Sequence, residues 1–180
     1  MTSKMVNGLL FISGGLAPIV LYLALGPEGA DILDAKLTEN LVFWIMLSIP
    51  IAFMMTASTM KDGAGSIYAK VGLLIFVIAY AGGSVGDAVF ASGNEQLGEA
   101  IQDPFWAGMM LAFAITAVGY YLQKNFPVWL SGLMALAGVY GFIAIAFIDL
   151  NANEALELPL WLGFTGILIL LGVFTILKKE

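Results

Sequence analysis

Three polar side chains in the stretch YAGGSVGDAVFASG, residues 80–93, could do chemistry within an otherwise apolar segment. Tyr80, Ser84 and Asp87 follow one another at intervals of four and three residues, so on an α-helix they share one face. Such a face offers a phenol, a hydroxyl and a carboxylate to a small solute or to a proton. We therefore take it as the leading candidate for a substrate or pore site.

The depth of Asp87 decides what this face can do. If the helix reaches the membrane surface near Asn94, a rise of about 1.5 Å per residue places Asp87 about 10 Å below that surface. If the helix leaves the hydrocarbon near Phe90 instead, Asp87 lies at the interface. An ionised carboxylate facing lipid costs at least about 2.5 kcal/mol, so a buried Asp87 should be hydrogen-bonded by hydroxyls or amides, or protonated. Three interpretations stay open: a solvated interfacial residue, a structural residue facing a cavity, and a transport or proton-coupling residue.

Two prolines indicate a second polar layer. Pro18 and Pro50 lie inside the first and second apolar runs. They are at similar depths when residues are counted from the connection that joins the two runs. Each lacks an amide donor, which frees the carbonyl four residues earlier, at Gly14 and Met46. Freed carbonyls in a membrane need protein or water partners, and paired kinks can open a pocket. The candidate polar contributors to this layer are Ser13, Ser48 and Ser84.

The residue types that are missing restrict the chemistry. The chain has no Cys and no His, and its seven basic residues are all Lys. This excludes a thiolate nucleophile, a thiolate-bound zinc and a His-ligated haem, and we predict no cofactor and no metal site. The net charge of -6 argues against nucleic-acid binding, which needs clustered cations. Because the carboxylates collect in the connections, we also expect no enzyme activity.

The composition is that of a membrane protein. Of the 180 residues, 61% are hydrophobic and 11% are charged, with a mean hydropathy of +0.96. A bilayer core about 30 Å thick needs roughly 20 apolar residues of helix, and six runs reach that length. The sequence predicts an all-α, polytopic integral membrane protein, with residues 1–180 forming a single bundle of six transmembrane helices. The predicted helices are residues 5–26, 41–60, 69–91, 105–122, 128–149 and 158–177.

The lysines predict the orientation of the chain. All but Lys36 lie at the termini or in the second and fourth connections. The positive-inside rule therefore predicts that the N- and C-termini are cytoplasmic. The other connections are acidic and would face outside, where they would concentrate cations. Their acidic residues are Glu28, Asp31, Asp34, Glu39, Glu95, Glu99, Asp103, Asp149, Glu154 and Glu157.

The four tryptophans are candidate interface anchors. Trp44, Trp106 and Trp161 lie near the outer start of the second, fourth and sixth runs, and Trp129 lies at the inner end of the fifth. The contexts LVFWIML, DPFWAGM and LPLWLGF also suit three αα-hairpins derived from one repeated unit. The enrichment of Trp at membrane interfaces explains the same positions without a repeat.

Two functions fit these observations. We predict a channel or carrier for a small neutral or cationic solute, with its site near Tyr80, Ser84 and Asp87. The alternative is a non-catalytic structural or accessory subunit of a larger membrane complex. The stretches SGGLAP, AGGSVG and SGLMALAGVYG favour this alternative, because small residues mark close helix contacts in lipid. Since such contacts also form between copies, we expect a homo-oligomer or a place in a membrane complex.

Overall fold

All secondary structure in the described part of the chain is helical. The computed structural model describes residues 2–27, 29–148, 150 and 153–178, so Glu28 and Asp149 lie outside the described residues. Six helices are long and apolar enough to cross a membrane, which confirms the prediction of an all-α chain with six such helices. They are α1 (Ser3–Pro18) with its π-helical continuation Ile19–Leu25, α2 (Ala35–Met46) followed by α3 (Ser48–Ser58), α4 (Ala64–Ala91), α5 (Glu95–Gln123), α6 (Val128–Phe147) and α7 (Glu157–Leu177).

Three observed helices begin well before their predicted apolar runs, and one of them is α4, which begins at Ala64 rather than at residue 69. α5 begins at Glu95 rather than at residue 105, and Pro104 lies inside it. Glu and Gln are good helix formers, so the polar turns EQLGEAIQD remain helical although their hydropathy places them outside the run. α2 begins at Ala35 rather than at residue 41, because the Asp34 carboxylate accepts a hydrogen bond from the Leu37 amide at 2.7 Å and caps the helix.

The Cα positions group into two compact units. The terminal unit, named for its place in the sequence, comprises Met1–Thr56 and Thr165–Glu180. The middle unit comprises Ala57–Phe164. Each unit is described by itself below.

In the terminal unit, α1 contacts both α7 and α3. A Cβ added at Gly8 would lie 2.6 Å from the carbonyl oxygen of Gly172, so the backbones of α1 and α7 touch. Phe11 of α1 packs on Phe53 of α3 with ring centroids 5.6 Å apart. The fully buried side chains of this unit include Phe11, Ile49, Leu168 and Leu171.

In the middle unit, α4 and α5 form an antiparallel pair whose backbones touch along its length. Near the turn, a Cβ added at Gly86 would lie 2.6 Å from the Gln102 amide nitrogen; at the far end, one added at Gly119 would lie 2.7 Å from the Gly65 carbonyl oxygen. The helices are joined by residues 92–94, where Gly93 has a φ of 93°, a conformation that favours glycine. Small residues therefore set how closely the two helices approach.

The second face of α5 packs on α6. A Cβ added at Gly138 of α6 would lie 2.7 Å from the carbonyl oxygen of Met110 on α5. The buried side chains of the middle unit include Met109, Phe113, Tyr120, Leu130 and Met134. α5 is thus covered from two directions, by α4 and by α6, and 56% of its apolar window is buried.

The substitution Gly72→Ala tests the contact between α4 and α5. The added methyl group would overlap the Thr116 hydroxyl and lie 2.9 Å from the Ala112 carbonyl oxygen. Because this forces the helices apart, we expect the free energy of unfolding of the variant to fall by about 1–3 kcal/mol. Its Tm, measured on protein purified in detergent, should fall as well. Gly132→Ala is the matched control, since nothing lies within 4 Å of a Cβ at that position. If both variants have the Tm of the parent protein, α4 and α5 do not pack closely at Gly72.

Candidate functional site

Asp87 is held by a tryptophan from the neighbouring helix. The indole Nε1–H of Trp106 on α5 donates a hydrogen bond to Oδ1 of Asp87 on α4, at 3.2 Å. Both side chains are half-buried. Gly83 makes this approach feasible, because a Cβ there would lie only 2.8 Å from the Trp106 ring. The indole therefore lies directly on α4 and fixes one oxygen of the carboxylate.

Tyr80 and Ser84, the two residues predicted to share a face with Asp87, are engaged in packing. The Tyr80 side chain is only 3% exposed, and its ring centroid lies 6.0 Å from that of Trp106. The Ser84 hydroxyl donates to the Tyr80 carbonyl of its own helix at 2.8 Å. Tyr80 and Asp87 both contact Trp106, so this face of α4 is the one that meets α5.

A second tryptophan completes an aromatic group around Trp106. The rings of Trp106 and Trp161 are perpendicular, with an angle of 89° and centroids 6.4 Å apart. Trp161 also packs edge-on against Phe164 at 6.3 Å. We call Tyr80, Trp106 and Trp161 the aromatic corner; Asp87 lies at its edge through the indole hydrogen bond.

Asp87 lies close to the turn that joins α4 and α5. α4 ends at Ala91, one helical turn beyond Asp87. A Cβ added at Gly86 would meet Gln102, and one added at Gly98 would meet Phe90, so Asp87 is level with residues 99–102 of α5. That stretch contains Glu99 and Gln102. The carboxylate therefore lies at the end of the helix pair, among polar residues, and not at its middle.

The tryptophans predicted as interface anchors occupy two kinds of environment. Trp44 and Trp129 are 65% and 51% exposed. Trp44 contacts the neighbouring Phe43 ring, whose centroid lies 5.2 Å away. Trp106 and Trp161, in contrast, are partly buried and contact each other. The sequence contexts of Trp44, Trp106 and Trp161 are alike, but their surroundings in the structure differ.

The two proline-containing helices of the terminal unit are interrupted at neighbouring points. α1 ends at Pro18 and widens into the π-helical segment, while α2 and α3 are separated at Leu47, shortly before Pro50. The Ser13 hydroxyl lies 3.3 Å from the Ser48 hydroxyl. A Cβ added at Gly14, whose carbonyl loses its helical donor at Pro18, would lie 2.9 Å from Ser48 Oγ. The Ser13 and Ser48 hydroxyls thus lie close together where α3 meets α1 at Gly14.

The sequence does not predict a second polar contact in the terminal unit, formed by the buried side-chain amide of Asn7. The Asn7 Nδ2 group donates to Thr56 Oγ1 at 2.9 Å, and the Thr56 hydroxyl lies 3.0 Å from the Ala52 carbonyl oxygen. Asn7 is 7% exposed, and its Oδ1 has no hydrogen-bond partner among the described residues. A single amide near the start of an apolar run resembles a solvated helix end, so only its packing reveals it.

The predicted site residues thus form two groups. Tyr80, Ser84 and Asp87 lie in the middle unit, while Pro18, Ser48 and Pro50 lie in the terminal unit. Among the described residues there is no group of three or more His, Cys, Asp or Glu side chains that could hold a metal ion. Comparison with protein-family models, with curated proteins and with solved structures gives no match for this chain.

A double-mutant cycle tests the bond between Asp87 and Trp106. Trp106→Phe removes the indole donor and Asp87→Ala removes the acceptor, so each single variant loses the same interaction. We expect a coupling free energy of about 0.5–1.5 kcal/mol from denaturant unfolding in detergent. The cycle of Asp87→Ala with Trp129→Phe serves as the control and should be additive. Additivity in both cycles would mean that the indole does not hold the carboxylate.

Proposed function

We propose that this chain is a polytopic integral membrane protein whose N- and C-termini face the cytoplasm. Six membrane-length helices support the insertion, and the distribution of the lysines supports the orientation. In this orientation the turn between α4 and α5, with Asp87 near it, faces outside. Lys70 and Lys124 lie toward the other end of the same helix pair, near the cytoplasmic surface.

The protein serves as a small channel or carrier for a small neutral or cationic solute. The observation that carries this function is the half-buried Asp87 carboxylate, oriented by the neutral indole N–H of Trp106 at the outer end of α4. The indole is a neutral donor, and an ionised carboxylate beside it would attract a cation or a hydrogen-bond donor. A position at the end of the helix pair suits the mouth of a pathway and avoids the cost of a charge in lipid.

The interrupted helices of the terminal unit add support. Non-helical or widened backbone at membrane depth is stable where protein or a water-filled cavity satisfies it, and transporters use broken helices at their binding sites. Here the breaks after Pro18 and before Pro50 coincide with the Ser13–Ser48 hydroxyl contact. This arrangement gives the terminal unit backbone and hydroxyl oxygens that a solute could meet.

Catalysis is not part of this proposal. The Ser84 hydroxyl is directed to the Tyr80 carbonyl and the Ser13 hydroxyl to the Leu10 carbonyl, so neither is arranged as a nucleophile against a base. The chain has no His to serve as that base. A membrane protein that binds and passes a solute needs neither group.

A structural or accessory subunit of a larger membrane complex is the second candidate. It is favoured by glycines of the middle unit that leave open space: nothing lies within 4 Å of a Cβ added at Gly132 of α6 or Gly163 of α7. A helix of a neighbouring chain could approach closely at such positions, because small residues allow backbone contact in lipid. The same positions would serve contact between copies of this chain.

The substitution Asp87→Asn tests the transport function. With the protein reconstituted in lipid vesicles, we expect at least a several-fold change in the flux of small cations or small neutral solutes relative to the parent. Glu95→Gln is the matched control, because it removes one negative charge from the exposed start of α5 at the same end of the pair. Equal effects would indicate surface attraction alone, and unchanged flux in both variants across the solute panel would argue against transport.

Native mass spectrometry of the protein extracted in mild detergent separates the two candidates. A subunit should leave the membrane with stoichiometric foreign chains, whereas a channel or carrier should appear alone or as a homo-oligomer. Gly132→Leu should reduce any such assembly while leaving the fold intact, since open space surrounds the position. Recovery of this chain as a monomer without foreign chains, for the parent and for every variant, would exclude the accessory role.

A further inference from the structure

The aromatic corner and Asp87 together offer acceptors and ring faces. The indole N–H of Trp106 is given to Asp87, and the Ser84 hydroxyl is given to the Tyr80 carbonyl. Beside these two donors the region contains a carboxylate and the π-systems of large rings. Both attract positive charge, the carboxylate by Coulomb attraction and the rings by their quadrupoles.

The arrangement of the rings suits an organic cation better than a metal ion. Trp106 and Trp161 are both partly exposed, and their ring planes are perpendicular with centroids 6.4 Å apart, so a cation beside the pair could contact a ring of each residue. A metal ion requires several oxygen ligands, and no group of three acidic side chains is found among the described residues. A methylated or alkylated ammonium is large and weakly hydrated, and it binds aromatic faces within about 6 Å of the ring centroid.

We propose that Asp87, Trp106 and Trp161 form a binding site for a small organic cation of the alkylammonium class. The inference rests on the proposed channel or carrier function and names the chemical class of its solute. Asp87 supplies the counter-charge, and its bond to Trp106 positions the carboxylate beside the ring that contacts the cation. Trp161 supplies a second ring, and the buried Tyr80 ring packs against Trp106 with centroids 6.0 Å apart.

The first test compares a cation with its neutral isostere. Choline is titrated into the detergent-purified protein in a calorimeter, and 3,3-dimethylbutan-1-ol, which has the same shape without the charge, is titrated in parallel. We expect choline to bind at least ten-fold more tightly than the alcohol. Equal affinity would overturn the proposal, because apolar contact without a role for charge would explain it. Displacement of choline by potassium at equal concentration would also overturn the proposal, because a generic acidic surface would explain that result.

Variants identify the residues that bind the cation. Asp87→Asn should weaken choline binding at least ten-fold, and Trp161→Leu should weaken it several-fold by removing a ring face. Trp161→Phe keeps a smaller ring, so partial retention of affinity separates the loss of a ring face from a loss of folding. Trp129→Leu, which lies at the other end of the middle unit and is half exposed, should bind choline like the parent. Parent-like binding by Asp87→Asn would overturn the site.

Flux measurements distinguish this inference from the function on which it rests. Choline binding without flux of any solute would overturn the transport function and leave the cation site intact. Flux of small neutral solutes without choline binding would overturn the cation site and leave the transport function intact. Absence of both would overturn both.

Discussion

Close backbone contact between α4 and α5 is the constraint on which the candidate site depends. In lipid, apolar side chains gain little by leaving the acyl chains, so helices associate where small residues let their backbones meet. Glycines at 65, 72, 83, 86, 98 and 119 bring this about along the whole pair. The contact fixes the antiparallel register, and the register brings the indole of Trp106 on α5 to the carboxylate of Asp87 on α4.

Some hydroxyl groups of the long helices bond within their own helix, whereas other polar groups join two different helices. Ser84, Thr116 and Thr175 return their hydroxyls to the carbonyl four residues earlier in the same helix, at 2.7–2.9 Å. Ser13–Ser48 and Asn7–Thr56 instead join different helices within the terminal unit, and Asp87–Trp106 does so within the middle unit. Each of these contacts joins a particular pair of helices, so a substitution there should disturb the packing of that pair.

The sequence predicts the six membrane-length helices because their apolar runs are long and separated by charge. It does not predict where α5 begins, since a polar but helix-forming segment, Glu95–Asp103, has no apolar signal. Nor does it predict the partner of Asp87: Trp106 lies 19 residues away in the chain, and the pairing depends on a register set by glycine contacts. The position of Trp106 near the end of an apolar run does not single it out as the partner. Trp44 occupies an equivalent position in its own run and is exposed. The positions of the two prolines predict a shared polar layer, but not the contact between the Ser13 and Ser48 hydroxyls, which depends on how α1 packs on α3.

The three-residue turn between α4 and α5 also bears on how the chain is made. α5 is the least apolar of the six long helices and the one with the largest buried share of its apolar window, so it depends most on contacts with neighbouring helices. A turn of residues 92–94 delivers α5 directly beside α4, whose glycines are already in position. In the proposed membrane protein, this connection would favour insertion of α4 and α5 together as one helical hairpin during synthesis, with α4 covering the face of the less apolar α5.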